Sequence, residues 1–257
     1  MTEDIQQRVA DDILELTLAR PAKKNALTAA MYEAMTRALA AAGDDDSVGA
    51  VLFSGEGDGF CAGNDINDFL KPGGAEAAMR FIRAISRFAK PMVAAVHGQA
   101  VGVGTTMLLH CDLVYASPDA RFSTPFAKLG LVPEAASSLL LPQRIGMARA
   151  SAMLLLGEPL GAREAEAAGL VTAVVDGALH DHAREKARAL AAMPPRALAA
   201  SRALMRGDGQ AIAQRLDAEE ATFADALVGA EAKEAFTAFL EKRAPVFARA
   251  PLSGQGT

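Results

Sequence analysis

Two glycine-rich stretches carry the residues best suited to chemistry, and the chemistry they suggest is main-chain hydrogen bonding to a developing anion. The first reads FSGEGDGFCAGNDI, with glycines at 55, 57, 59 and 63. Glycines clustered after an apolar run let the chain bend tightly and let a ligand approach amides that a side chain would screen. The amides of Gly63 and Asn64 are then able to face an acceptor. The second stretch, HGQAVGVG at 97–104, runs from an apolar segment into a helical pattern. The first amides of a helix lack intrahelical partners and favour negative charge. Its spacing fits neither the dinucleotide fingerprint nor the phosphate loop with its lysine, and either turn taken alone is more often plain punctuation.

Other reactive groups are sparse. Cys61 and Cys111 sit beside apolar residues without a CxxC or Cys/His ligand spacing, so both read as buried thiols. His97, His110, His180 and His182 form no HExxH pattern, and no metal is expected.

The elements that must position the two turns alternate between strand and helix. Strands are expected at 13–19, 49–53, 92–96 and 112–116, with residues 92–96 suited to burial on both faces. Helices are expected at 28–42, with Thr28 as N-cap, at 76–89 and at 103–110. Beyond Pro133 helices dominate, at 134–145, 148–156 and 162–168, with one short strand at 170–175. The tail reads as helices at 181–192, 195–205, 210–227 and 230–242, and the final LSGQGT as disordered. A soft boundary near 195 divides a core region, 1–194, from a helical region, 195–257.

A length of 257 residues with 51% hydrophobic and 22% charged residues is that of a globular chain able to bury a core. A net charge of -5 disfavours nucleic acid as a partner, because phosphate binding needs a basic face. No apolar run is long enough to span a bilayer, and MTEDIQQRVADD places acids where a signal peptide carries basic residues. A cytoplasmic location is the expectation.

Six ordered motifs resemble the crotonase (enoyl-CoA hydratase/isomerase) superfamily along nearly the whole chain: RPAKKNAL, FCAGNDI, VHGQAVGVG, HCDLVYAS, FSTPFAKLGLVPEAASSLLLPQRIG and EAFTAFLEKRAPVF. The resemblance implies an α/β crotonase (ClpP/crotonase-like) fold of repeated β-β-α spiral units with a helical C-terminal region. It implies an acyl-CoA thioester as substrate, with CoA as part of that substrate and no separate cofactor. It also implies a homotrimer, or a hexamer of paired trimers. The oxyanion hole it implies consists of the backbone N–H groups of Asn64 and Val103. By the same resemblance Ala62, Gly63, Asn64, Asp65 and Ile66 lie along CoA, with Gly104 beside them. Ala22, Lys23 and Lys24 flank its nucleotide end, and Lys242 offers a further phosphate contact. Adjacent lysines are otherwise a solvated surface, and Asp65 also suits a local cap.

In hydratases of this family two glutamates act on a water. The matching positions here hold Thr106 and Phe126, so neither carries a carboxylate, and efficient water addition is not expected. Phe126 and Leu129 read as acyl-pocket lining or core. One carboxylate remains, Glu134 in STPFAKLGLVPEAASSLLLP, a run that resembles the Δ3,Δ2-enoyl-CoA isomerase branch, where this glutamate is the general base. Behind Pro133 it also suits the first turn of a helix. The resulting expectation is a shift of the double bond of a 3-enoyl-CoA to the 2-trans position. The alternatives are another crotonase reaction, hydratase-like or hydrolytic and served by Asp68 or Glu158, and a non-catalytic acyl-CoA-binding protein.

Overall fold

The structure, a computed structural model, describes residues 2–207 and 209–248; the LSGQGT tail lies outside them. Its main sheet is six-stranded, in the order β1-β2-β3-β4-β6-β9. The strands are β1 (Ile5–Ala10), β2 (Ile13–Leu18), β3 (Ala50–Gly55), β4 (Met92–Val96), β6 (Leu113–Ala116) and β9 (Ala173–Val174). The β1/β2 pair is antiparallel and every other pairing in this sheet is parallel. A second sheet holds β5 (Gln99–Val101), β7 (Arg121–Ser123) and β8 (Leu160–Gly161), in the order β5-β7-β8.

Side chains alternate across the central strands, as the two-residue period requires. Val51 and Phe53 of β3 enter the large core together with Leu14, Leu16 and Leu18. Helices α1 (Ala29–Asp44) and α3 (Gly74–Arg87) cover that face, contributing Met31, Met35, Phe81 and Ile85. Ala50 and Leu52 point the other way, with Ile13, Val93 and Ala95, onto Leu179, Ala183 and Ala187 of α8 (Leu179–Ala191). All of β4 is buried, as its uninterrupted apolar run predicts.

The remaining helices are α2 (Ile66–Phe69), α4 (Val103–Thr106), α5 (Ser137–Ile145), α6 (Met147–Leu156), α7 (Ala162–Ala168), α9 (Pro195–Arg206), α10 (Gly209–Val228) and α11 (Ala230–Leu240). The tail helices are bonded into the rest of the molecule. Arg202 of α9 donates to Asp112 at 2.8 Å and to the Phe88 carbonyl at 2.6 Å, and Arg83 of α3 donates to Asp217 of α10 at 2.7 Å.

One expectation needs correction, and β1, like the short β5, β7, β8 and α2, was not expected at all. The strand β1 has no counterpart in the sequence reading: its IQQRVA is exposed at most positions, and pairing with β2 across a turn at Asp11 and Asp12 (φ 54° and 61°) defines it instead. The helix expected from Glu134 starts at Ser137, because Ala135 and Ala136 take left-handed backbone angles of φ 58° and 55°. Smaller changes follow from local geometry. The helix expected at 103–110 is one α-turn followed by a 3-10 turn at Met107–His110. Among the described residues no helix is long and apolar enough to cross a membrane.

Candidate active site

The two glycine turns lie against each other, laced by main-chain bonds. Cys61 N–H donates to the Gln99 carbonyl and Val101 N–H to the Cys61 carbonyl, both at 2.9 Å. On the other side of the first turn, Leu27 N–H donates to Gly63 O at 2.8 Å and Asp65 N–H to Leu27 O at 2.9 Å. Asn25 anchors the arrangement: fully buried and left-handed (φ 55°), it accepts from Arg20 N and donates to the carbonyls of Glu56 and Gly59 at 2.8–2.9 Å. Asparagine tolerates this backbone region better than most residues.

Glycine is required at two contacts of this seam. Gly63 has φ +90°, and a Cβ there would lie 3.0 Å from the Val101 carbonyl. A Cβ on Gly104 would lie 2.8 Å from both Cβ and the carbonyl oxygen of Cys61. Gly104→Ala is therefore expected to push the turns apart and destabilise the fold by about 1–3 kcal/mol, read by denaturant unfolding. Stability equal to the parent would show that the seam yields without cost.

Among the amides that the lacing leaves over are those of Asn64 and Val103. Leu27 pairs with the residues flanking Asn64, and Val103 is the first residue of α4, so neither the Asn64 N–H nor the Val103 N–H has an acceptor among the described residues. Both residues line one cavity of about 710 Å³. It is lined by residues 62–66 and 101–103 of the two turns, by Phe126, Leu129 and Leu131, and by Phe223, Phe236, Phe239 and Leu240 of α10 and α11. Lys23 and Lys24 stand at its edge, exposed, with no ion-pair partner among the described residues.

Glu134 is 4% exposed and does not line this cavity; it lines a separate, much smaller one of about 10 Å³ with Glu219 and Arg83. The hydroxyl of Thr106, one turn along α4 from Val103, donates to Oε1 of Glu134, and Oε2 has no partner. Tyr32 connects the two neighbourhoods. Its buried hydroxyl donates to the side-chain oxygen of Asn64, and burial, with the nearby charges of Cys61 and Glu134, pushes its pKa well up. Burial raises the Glu134 pKa from 4.5 to about 8, against the Thr106 hydrogen bond and with the charge of Glu219. The folded protein thus holds this proton more tightly than the unfolded chain. The stability it contributes is complete below pH 4.5 and is lost as pH rises towards 8, with a slope of roughly 1 kcal/mol per pH unit. Glu134→Gln removes that slope, so its stability relative to the parent should climb from pH 4.5 to 8 and then level off. A pH-independent difference in denaturant titrations would contradict the burial account.

The expected residues divide plainly. Lys23, Lys24, Ala62, Gly63, Asn64, Asp65, Ile66, Val103 and Phe126 line the large cavity. Glu134, Ala22, Gly104 and Lys242 do not: Glu134 lines the smaller cavity, Ala22 sits in an exposed 3-10 turn, Gly104 faces Cys61, and Lys242 follows the exposed end of α11. Asp65 has a structural task as well, accepting from Arg20 at 2.8 Å and from the Asp68 amide at 3.3 Å as N-cap of α2. The carboxylates proposed for other reactions are elsewhere. Asp68 accepts from the Ala29 amide at 2.7 Å, and Glu158 is exposed and off the cavity. Both cysteines are buried free thiols whose pKa burial pushes up to about 12, which makes them poor nucleophiles. Asn25, Tyr32 and Glu219 were not foreseen, because their partners are distant in the sequence or are backbone atoms. No cluster of metal-ligating residues occurs among the described residues.

Comparison with known proteins gives a consistent result. Residues 8–250 match the enoyl-CoA hydratase/isomerase family. A rat protein, enoyl-CoA delta isomerase 2, is 40% identical over 220 residues, covering 82% of this chain but only 56% of its own length; the chain thus spans little more than half of that relative. The 1,2-epoxyphenylacetyl-CoA isomerase of Escherichia coli K12 is 35% identical over 96% of this chain and 99% of its own. Among solved structures, an enoyl-CoA hydratase/isomerase from Pseudoalteromonas atlantica T6c has 45% identity and a TM-score of 0.92, covering 96% of this chain and 100% of its own.

Proposed function

This chain belongs to the enoyl-CoA hydratase/isomerase family, and from that premise we propose that it shifts the double bond of a 3-enoyl-CoA to the 2-trans position with a single carboxylate. In this reading the thioester oxygen lies between the Asn64 and Val103 amides, which are unpaired and line one cavity. Glu134 takes the C2 proton. The C–H electron pair becomes the C1–C2 double bond of a dienolate, and the carbonyl oxygen takes the charge, where preorganised donors stabilise it most. The C3–C4 pair then accepts the same proton from Glu134 at C4, leaving a C2–C3 double bond and a restored thioester. Atoms and charge balance without a metal or redox cofactor.

One observation carries the choice of reaction. Glu134 is a buried carboxylate with one oxygen on Thr106 and the other unpartnered, while positions 106 and 126 supply no second carboxylate to activate water. A pKa near 8 suits a group that must be base and then acid near neutral pH. Lys23 and Lys24 support the nucleotide end of CoA at the cavity edge, and the phenylalanines of α10 and α11 support an apolar acyl chain. Exposed Leu155, Leu156, Leu204 and Met205 support an assembled form, a homotrimer or hexamer.

Incubation of the purified protein with a 3-enoyl-CoA and, separately, a 2-enoyl-CoA tests this reading. The expected product is the 2-trans-enoyl-CoA from the first and little hydration of the second. Hydration without isomerisation would favour a hydratase, and tight binding without turnover of either would favour an acyl-CoA-binding protein.

A further inference from the structure

We propose that Glu219, reaching from α10, is a positioning residue for Glu134: its carboxylate clamps the left-handed bend at Ala135 and Ala136 that fixes where the Glu134 carboxyl stands. The proposal rests on the reading of Glu134 as the base.

Two consecutive alanines with φ of 58° and 55° hold a conformation that L-residues avoid, so surrounding contacts must hold the bend in place. Those contacts are few and specific. The His110 Nε2–H donates to the Ala135 carbonyl at 2.9 Å. Glu219 Oε2 accepts from Ala136 N at 2.6 Å, and Oε1 accepts from Ser138 N at 2.9 Å and Ser138 Oγ at 2.6 Å. Ala136 is the N-cap of α5 and has no side chain able to cap it, so the cap comes from a residue 83 positions away. Glu219 is 7% exposed and both of its oxygens are engaged, which leaves Glu134 Oε2 as the unpartnered acceptor beside it. Arg83 holds α10 in place from α3 by pairing with Glu220 and, at 2.7 Å, with Asp217.

The same clamp sets the electrostatics of the base. The groups around Glu134 and Glu219 are Tyr32 on α1, Arg83 on α3, Thr106 on α4, His110 in the 3-10 turn that follows, and Arg215, Asp217 and Glu220 on α10; Arg215 donates to Ser138 Oγ at 3.2 Å. The charge on Glu219 disfavours ionisation of Glu134, so its removal favours the carboxylate.

The test compares Glu219→Ala and Glu219→Gln in the parent and in a Glu134→Gln background. It measures kcat and KM for 3-enoyl-CoA isomerisation, the pH profile, and hydrogen exchange at the Ala136 and Ser138 amides. Glu219→Ala is expected to lower kcat by roughly 10- to 100-fold through misplacement of the base, with KM within about threefold, and to speed exchange at both amides. Glu219→Gln keeps an acceptor oxygen, so it should recover part of kcat while moving the ascending pH limb to lower pH. In the Glu134→Gln background neither change should lower kcat further, because the effect passes through Glu134. Unchanged kcat with faster exchange overturns the proposal, as does an equal fractional loss in both backgrounds. If Glu219→Ala does not fold, Glu219→Gln decides alone: an unmoved pH limb with parental kcat overturns the proposal. Failure of the base assignment is distinct, since Glu134→Gln by itself would then turn over like the parent.

Discussion

Glu134→Gln is expected to lower kcat for 3-enoyl-CoA isomerisation by about 10²- to 10⁴-fold, the range lost when a positioned general base is removed. The substitution is nearly isosteric. The Thr106 hydroxyl that donates to Oε1 can donate equally to the amide oxygen, so the bend and α4 should keep their places. Acyl-CoA affinity should change little, because the substitution keeps size and shape and leaves the lining of the large cavity untouched. The loss should therefore fall on kcat, and a parental kcat would show that another group moves the proton. The pH profile provides a second reading. Burial holds the carboxyl near 8, so kcat/KM of the parent should rise with pH through that value and flatten above it, as the protonated fraction disappears.

Val103→Pro is expected to cost about 10²- to 10³-fold in kcat, the usual effect of deleting one oxyanion donor. A backbone donor is rarely removable without wrecking the backbone, but Val103 permits it. As the first residue of α4 its N–H has no intrahelical acceptor, and proline suits that position because its fixed φ matches the helix. The preceding residue is Gly102 at φ 56°, ψ −120°, with no Cβ to clash with the proline ring. The bonds that hold the turn, Gly102 N to Ser123 O at 2.8 Å and Thr105 N and Thr106 N to Gly102 O at 2.9 Å, do not involve the Val103 amide. Val103→Ala is the control, since it trims the side chain and keeps the donor. Equal rates for the proline and alanine variants would remove Val103 from the catalytic account.

What was legible in the sequence follows from the range of the forces involved. The amphipathic pattern of α1, its Thr28 cap and the wholly apolar β4 are local, and each emerges with nearly its expected bounds. The two glycine turns were legible for the same reason, since glycine clusters mark bends and close approaches wherever they occur. The bend at Ala135 and Ala136 was not. Alanine is a strong helix former, so its local preference extends α5 back over Glu134, and His110 and Glu219, both distant in sequence, override it. Thr106, which carries no carboxylate, donates its hydroxyl to Glu134, a long-range partner that its own position in the sequence does not reveal. Gly104, expected beside CoA, instead packs on Cys61, because adjacent helical residues face different ways. The first strand escaped notice because pairing with β2, and not burial, makes it a strand.

A crystal structure with an unreactive acyl-CoA bound tests the central claim most directly, because it fixes the amides, the thioester and the carboxylate in one frame. The account predicts a thioester oxygen within about 3 Å of both Asn64 N and Val103 N, with C2 of the acyl chain turned towards Glu134 Oε2. A thioester oxygen bonded to neither amide, or an acyl chain that carries C2 away from Glu134, would contradict it.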